Sequence, residues 1–306
     1  MWNRTDLAME SRVLHPDIQG VKESKRSRDG VTVSLIQIET EEAERIPDKP
    51  RGRYVTIECP AIAGRERKAF TRAARSVAGS LTALMDETEG EKEKTLILGL
   101  GNRFVTPDAL GPRTVEKLFV TRQIAKGTAE LAPNGMREVA AIAPGVLGVT
   151  GIETVETAKG IIKEIRPGRV LCIDALASRQ ADRITTVIQM NDSGILPGSG
   201  VHNRQQGLNR ETLGVPVIAI GVPTVVFAST IVMETLWAMN EKSGGGGDSN
   251  ALFALIENTM KDKFGNMIVT PKDVDLLVED ASAVLAQGIN EALHGDSLSE
   301  IRELLS

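Results

Sequence analysis

Two aspartates stand where an acid and a base could work as a pair. Asp108 lies in VTPDALGP, after a proline and eight residues beyond an apolar run that ends at Leu100, and Asp174 lies in VLCIDALA, directly after one. Two carboxyl groups brought together in a partly dry cleft cannot both ionise cheaply, so one keeps its proton while the other stays a carboxylate. Such a pair can hydrolyse an amide: the ionised member takes a proton from water, and the protonated member polarises the carbonyl and helps protonate the departing nitrogen. Residue type alone does not say which aspartate is acid and which is base. Taken singly, each is more simply explained as a helix-start residue that complements the dipole than as a catalytic group.

The elements that must position the pair can be read from the runs around it. Leu96, Ile97, Leu98 and Leu100 suit a strand buried on both faces of a parallel sheet, and Gly99 and Gly101 let the chain turn at its end. Thr106 and Pro107 read as an N-cap and first helical position, which puts Asp108 in the first turn of a helix. RVLCID at Arg169 to Asp174 repeats the theme, and ligands of open parallel sheets gather beyond the carboxyl ends of strands. The GLGN run is no dinucleotide fingerprint, because the third glycine of GxGxxG would fall on Phe104.

Around these runs, strands are expected at Val31–Glu39, Tyr54–Cys59, Val139–Pro144, Ile184–Met190 and Pro216–Pro223, the Ile184 run as an antiparallel or edge strand. Helices are expected at Arg65–Leu84, in TVEKLFVTRQIA after Pro112, in GIETVETAKGIIKEI, and at Thr224–Asn240. This alternation indicates an α/β fold with a mainly parallel sheet flanked by helices. Residues 1 to 30 read as polar and irregular, with the basic cluster Lys22 to Arg28 a solvated segment. SGGGGDS at Ser243 to Ser249 reads as a linker, and Ala251 to Ser306 as helical.

Composition narrows the function classes. The 306 residues are 41% hydrophobic and 25% charged with a net charge of -5, so there is no electrostatic case for direct nucleic-acid binding. Cys59 and Cys172 are the two cysteines, and a disulfide framework is not expected. No apolar stretch approaches the roughly 20 residues needed to span a bilayer, and Met1 to Glu10 lacks a signal-peptide core. A cytoplasmic location is expected. His15, His202 and His294 form no metal-ligand spacing and read as surface histidines, His202 being the one within reach of a glycine-rich loop. Ser178, Ser193 and Ser199 lack a GxSxG elbow, and Cys172 is expected inside a strand, which disfavours nucleophile schemes.

VTPDALGP, PGVLGVTGIET, IDALASR, DSGILPGSGV and PVIAIGVPTVV, in this order, closely resemble the germination proteases of spore-forming Firmicutes. The resemblance runs from RTDLAMES at Arg4 through RGRYVT at Arg51 to MIVTPKDVDLLVEDAS. It implies a fold similar to hydrogenase maturation endopeptidases, with added N-terminal strands and C-terminal helices. It also implies an endopeptidase that degrades small acid-soluble, DNA-protecting spore proteins in the spore core during germination, with Asp108 and Asp174 as its catalytic aspartates. Members are zymogens that assemble as homotetramers and remove their own propeptide; RTDLA resembles the self-cleavage motif, with the cut expected between Asp6 and Leu7. With Met1 present the chain reads as the precursor, its propeptide only Met1 to Asp6.

The expected organisation is therefore a propeptide (1–6), an α/β catalytic domain (7–242), a glycine-rich linker (243–250) and a helical segment packed on the catalytic domain (251–306). Gly194, Gly198, Gly200 and His202 are expected to border the substrate groove, and neither metal nor cofactor is assigned. Two alternatives stand beside this reading: a metal-dependent endopeptidase of the hydrogenase-maturation type, and a non-enzymatic module that binds spore proteins.

Overall fold

In the computed structural model, residues 5–45, 49–87, 94–127, 133, 136–196, 206–242, 259, 263 and 267–305 are described. The strands are β1 (Val21–Arg28), β2 (Val31–Ile38), β3 (Gly52–Glu58), β4 (Lys94–Gly99), β5 (Glu138–Ile142), β6 (Arg169–Ser178), β7 (Val187–Asn191), β8 (Val217–Phe227) and β9 (Ile268–Val269). They form one mixed sheet in the order β1-β2-β3-β7-β8-β6-β4-β5, with β9 pairing β8. β5, β4, β6 and β8 are mutually parallel, while β1, β2, β3 and β7 extend the sheet antiparallel. The helices are α1 (Ala8–Leu14), α2 (Arg67–Glu87), α3 (Leu110–Val115), α4 (Arg122–Gly127), α5 (Leu147–Thr150), α6 (Thr154–Ile165), α7 (Arg210–Leu213), α8 (Ala228–Lys242), α9 (Val274–His294) and α10 (Leu298–Leu305).

The apolar runs of β4, β6 and β8 are continuous because both faces of the parallel strands are covered. Ile97, Leu171, Ile173, Ile218 and Ile220 pack under Ala73, Val77 and Leu81 of α2 and Leu285 and Ile289 of α9. The alternate residues Leu96, Leu98, Val170, Cys172 and Val217 face Val155 and Ala158 of α6 together with Leu208 and Leu213. Successive side chains of a strand point to opposite faces, so one run feeds two cores.

Several expectations change. Residues 5–30 are ordered into α1 and β1. The basic cluster is a strand whose residues stay almost wholly exposed, held by its antiparallel pairing to β2 and not by burial. β7 is antiparallel as expected but lies inside the sheet, between β3 and β8. Thr224 to Phe227 continue β8 past a bulge opposite Leu176 and Ala177, and the helix begins only at Ala228; Pro223 is tolerated there because a bulge disrupts the ladder locally. The segment after Pro112 divides into α3 and α4, and Ile268–Val269 is a strand ahead of the C-terminal helices. His294 is buried, not a surface group, with Nε2 3.1 Å from the carbonyl oxygen of Phe119. Residues 243–250 lie outside the described residues. Among the described residues no helix is long and apolar enough to cross a membrane.

Candidate active site

Asp108 is carried by the chain that leaves β4. Leu100 N–H donates to Ile173 O at 2.8 Å, extending the β4–β6 pairing by one bond, and Gly101 then turns the chain at φ 104°, a left-handed conformation that favours glycine. Thr106–Asp108 is a 3₁₀ turn without a side-chain cap, and α3 starts at Leu110, so Asp108 precedes the helix and is not within its first turn. Its Oδ2 accepts from Asn102 N–H at 2.7 Å, closing the Asn102–Asp108 loop on itself. α3 enters by pressing its backbone onto the strand ends. A Cβ on Gly111 would lie 2.3 Å from Leu100 O and 2.6 Å from Ile173 O, and one on Gly99 would lie 2.4 Å from Gly111 O. Two facing glycines thus let one backbone cross another, which sets Asp108 over the strand that carries Asp174.

Asp174 follows the last residue of β6 that pairs with β4, Ile173 opposite Gly99. It is 7% exposed, and its Oδ1 accepts from Ala175 N–H at 2.9 Å. β6 does not end there, as the sequence suggested, but runs on to Ser178. Both aspartates line one cavity of about 400 Å³. Burial, then the charge of Asp108, and more weakly that of Asp6, raise the Asp174 carboxyl well above the ordinary carboxylate range. Burial also raises Asp108, opposed by the Asn102 hydrogen bond. Each carboxylate has one backbone N–H donor, and Asp174 is the more deeply buried of the two, which favours the proton on Asp174.

The same cavity is lined by Asp6. Its N–H donates to Ala177 O at 3.0 Å and its Oδ2 accepts from Ala177 N–H at 2.7 Å. Leu7 is fully buried against Leu176 and Val187. Gln189 of β7 spans the next bond: its Nε2 donates to Asp6 O at 2.8 Å and its Oε1 accepts from Ala8 N–H at 2.6 Å. Glu10, also buried, anchors α1 through Arg183 Nη1 at 2.9 Å and the Arg179 N–H at 2.8 Å, and accepts from the hydroxyl of Thr5. The Asp6–Leu7 peptide is thus held across the strands that carry Asp174 and Gln189.

Of the residues expected to border a groove, Gly194 lines the cavity, beside Ile195 and Leu196. Gly198, Gly200 and His202 lie outside the described residues. Among the described residues, no group of three or more His, Cys, Asp and Glu is placed to hold a metal ion. Gln189 and Glu10 were not singled out from the sequence. Each shows only as a polar residue inside a short element, and a buried clamp cannot be told from a solvent-facing position by periodicity alone.

A family model described as germination protease matches residues 4–246. A germination protease of Caldanaerobacter subterraneus subsp. tengcongensis is 40% identical over 318 residues, covering 99% of this chain and 98% of the relative. One from Clostridium perfringens strain 13 is 40% identical over 320 residues, covering 98% of each. Among solved structures, the NiFe hydrogenase maturation protease HycI from Thermococcus kodakarensis aligns with a TM-score of 0.32 at 17% identity, over 67% of this chain and 98% of that one.

Proposed function

The chain belongs to the germination protease family and so is a peptidase of spore germination, and we propose that it is a self-processing zymogen whose Asp108 and Asp174 activate water for peptide hydrolysis. The observation that carries this reading is the placement of Asp6, at the bond expected to be cut, in the cavity that both aspartates line. In this scheme Asp108 is the base and Asp174 the acid. Asp108 removes a proton from water as its oxygen attacks the Asp6 carbonyl carbon, and Asp174 gives its proton to the carbonyl oxygen. Collapse of the tetrahedral intermediate breaks the C–N bond: Asp108 passes its proton to the leaving nitrogen of Leu7, and Asp174 recovers one from the intermediate's hydroxyl. The products are a carboxyl at Asp6 and an amine at Leu7, and the pair again holds one proton.

The substrates in trans are small acid-soluble spore proteins, bound as extended segments in the place of Thr5–Ala8, with an acidic residue before the cut and a large apolar one after it. The protein acts in the forespore and spore core and assembles as a homotetramer, with 1–6 as propeptide and 7–242 as the catalytic unit. The test is cleavage of a spore protein by the full chain and by Asp108→Asn and Asp174→Asn. Loss of cleavage in both variants, with melting temperatures retained, is expected; an undiminished rate in either would remove that aspartate from the mechanism.

A further inference from the structure

We propose that Gln189 is a further catalytic residue, the hydrogen-bond donor that holds the carbonyl oxygen of the cleaved bond and stabilises the negative charge that develops there. The inference rests on the reading of Asp6–Leu7 as the bond the chain cuts in itself. The side-chain amide is 5% exposed and makes two contacts to main-chain groups on either side of that bond: Nε2 to Asp6 O at 2.8 Å and Oε1 to Ala8 N–H at 2.6 Å. Because Oε1 must accept from an N–H, the orientation of the amide is fixed and its donor faces the carbonyl.

The sheet explains how Gln189 and Asp174 reach the same peptide. Gly221 of β8 pairs with Asp174 on one side and Gln189 on the other. Residues in register point to the same face, and two strand spacings of about 4.8 Å put their Cα atoms about 10 Å apart. Gly221 contributes no side chain between them, and the Leu176 side chain lies over it. Leu7 rests on that same face, against Leu176 and Val187, each two residues from Asp174 and Gln189 respectively. The peptide therefore lies on the sheet face that carries both the acid and the amide, and the amide is in hydrogen-bond contact with it.

A neutral donor suits this place. As the carbonyl carbon becomes tetrahedral its oxygen gains partial charge until the proton of Asp174 is fully transferred, and a fixed N–H already at hydrogen-bond distance stabilises that charge without reorganisation. A lysine or arginine would do the same but would also favour the ionised form of Asp174, which must keep its proton.

The test follows self-cleavage of the full-length chain by intact mass, as a first-order rate, in wild type, Gln189→Met and Gln189→Glu, with melting temperatures to confirm folding. Gln189→Met keeps length and removes both hydrogen bonds. Gln189→Glu keeps the acceptor for Ala8 and loses only the donor, which returns when the glutamate is protonated. The expected result is a rate about 10²–10³-fold below wild type for both at neutral pH. The ratio of the Gln189→Glu rate to wild type should climb as pH falls, and should do so above the ordinary glutamate range near about 4, because burial and the neighbouring Asp6 and Asp174 carboxyls favour the protonated form. A role confined to docking the N-terminal segment would recover in the same way, but in the inactive Asp174→Asn background Gln189→Met would then expose Thr5 to Ala8 to an added protease, which loss of a catalytic donor alone would not. Rates within about threefold of wild type for either folded variant, or a Gln189→Glu ratio flat with pH, would overturn this role while leaving the aspartates in place. A wild-type chain that never loses Met1 to Asp6 would overturn self-processing, and this role with it.

Discussion

Gly111→Ala should damage both stability and activity, because one methyl group would push on both aspartates at once. The new Cβ would meet Leu100 O at 2.3 Å, Leu100 N at 2.4 Å and Ile173 O at 2.6 Å, all of them backbone atoms in hydrogen-bonded strands. Ordinary contact lies near 3.5 Å, so α3 must retreat from β4 and β6 by about 1 Å. Overpacking of a well-packed site costs typically 1–3 kcal/mol, and with backbone on every side the upper end applies, about 3 kcal/mol. For a chain of 306 residues that is a fall of roughly 5 °C in melting temperature. Asp108 stands three residues before Gly111 and Asp174 directly after Ile173, so the same retreat changes their separation. Misplacement of about 1 Å costs on the order of 10²-fold in rate. Thermal melting and the self-cleavage rate, measured on the same preparation, check both figures. A Gly111→Ala chain that melts and cleaves like wild type would refute the argument that the Gly99–Gly111 crossing sets the pair.

Asp174→Asn should be more stable than wild type at neutral pH. Burial makes the folded chain hold a proton on Asp174 that the unfolded chain releases near pH 4; the group's contribution is therefore complete below about pH 4 and is lost as pH rises through its raised native value. Denaturant titrations should show the variant's advantage disappearing below about pH 4, and an advantage constant with pH would contradict the assignment of Asp174 as the proton holder. Glu10→Gln removes the charge opposite Arg183 in a largely buried contact and should cost about 2–3 kcal/mol by denaturant titration. Self-cleavage should slow as well, since Thr5 to Leu7 lose their anchor; an unchanged rate would show that Ala177 and Gln189 hold the segment without it. The rate of self-cleavage should be bell-shaped in pH, falling in acid as Asp108 is protonated and in base as Asp174 ionises. A rate independent of pH across the acidic and neutral range would exclude the pair as acid and base.

The sequence showed the site's scaffold where burial writes a pattern, and hid it where backbone pairing or close packing decides. Leu96, Ile97 and Leu98 announce β4 because both faces are covered, and the aspartates that follow β4 and interrupt β6 stand out as polar residues against those apolar runs. β1 announces nothing: VKESKRSR has almost no buried side chain, and it is a strand because β2 offers it eight consecutive partners. Thr106 and Pro107 carry real helix-start chemistry, yet the chain spends them on a 3₁₀ turn, since α3 must first cross Gly99 and can begin only at Leu110. β8 continues through Thr224 to Phe227 because β6 and β9 pair with it there, a contact between segments more than 40 residues apart that no local window contains. Gln189 was invisible for a similar reason, as its meaning lies in the Asp6 carbonyl and Ala8 amide, some 180 residues away.

Whether Asp108 and Asp174 cut the bond after Asp6 can be read from intact mass. Purified full-length protein would be incubated at neutral and mildly acidic pH beside Asp108→Asn and Asp174→Asn. Wild type should lose Met1 to Asp6 and neither variant should, with all three chains folded. Loss of the same six residues from a folded aspartate variant at the wild-type rate would contradict that role for the aspartates.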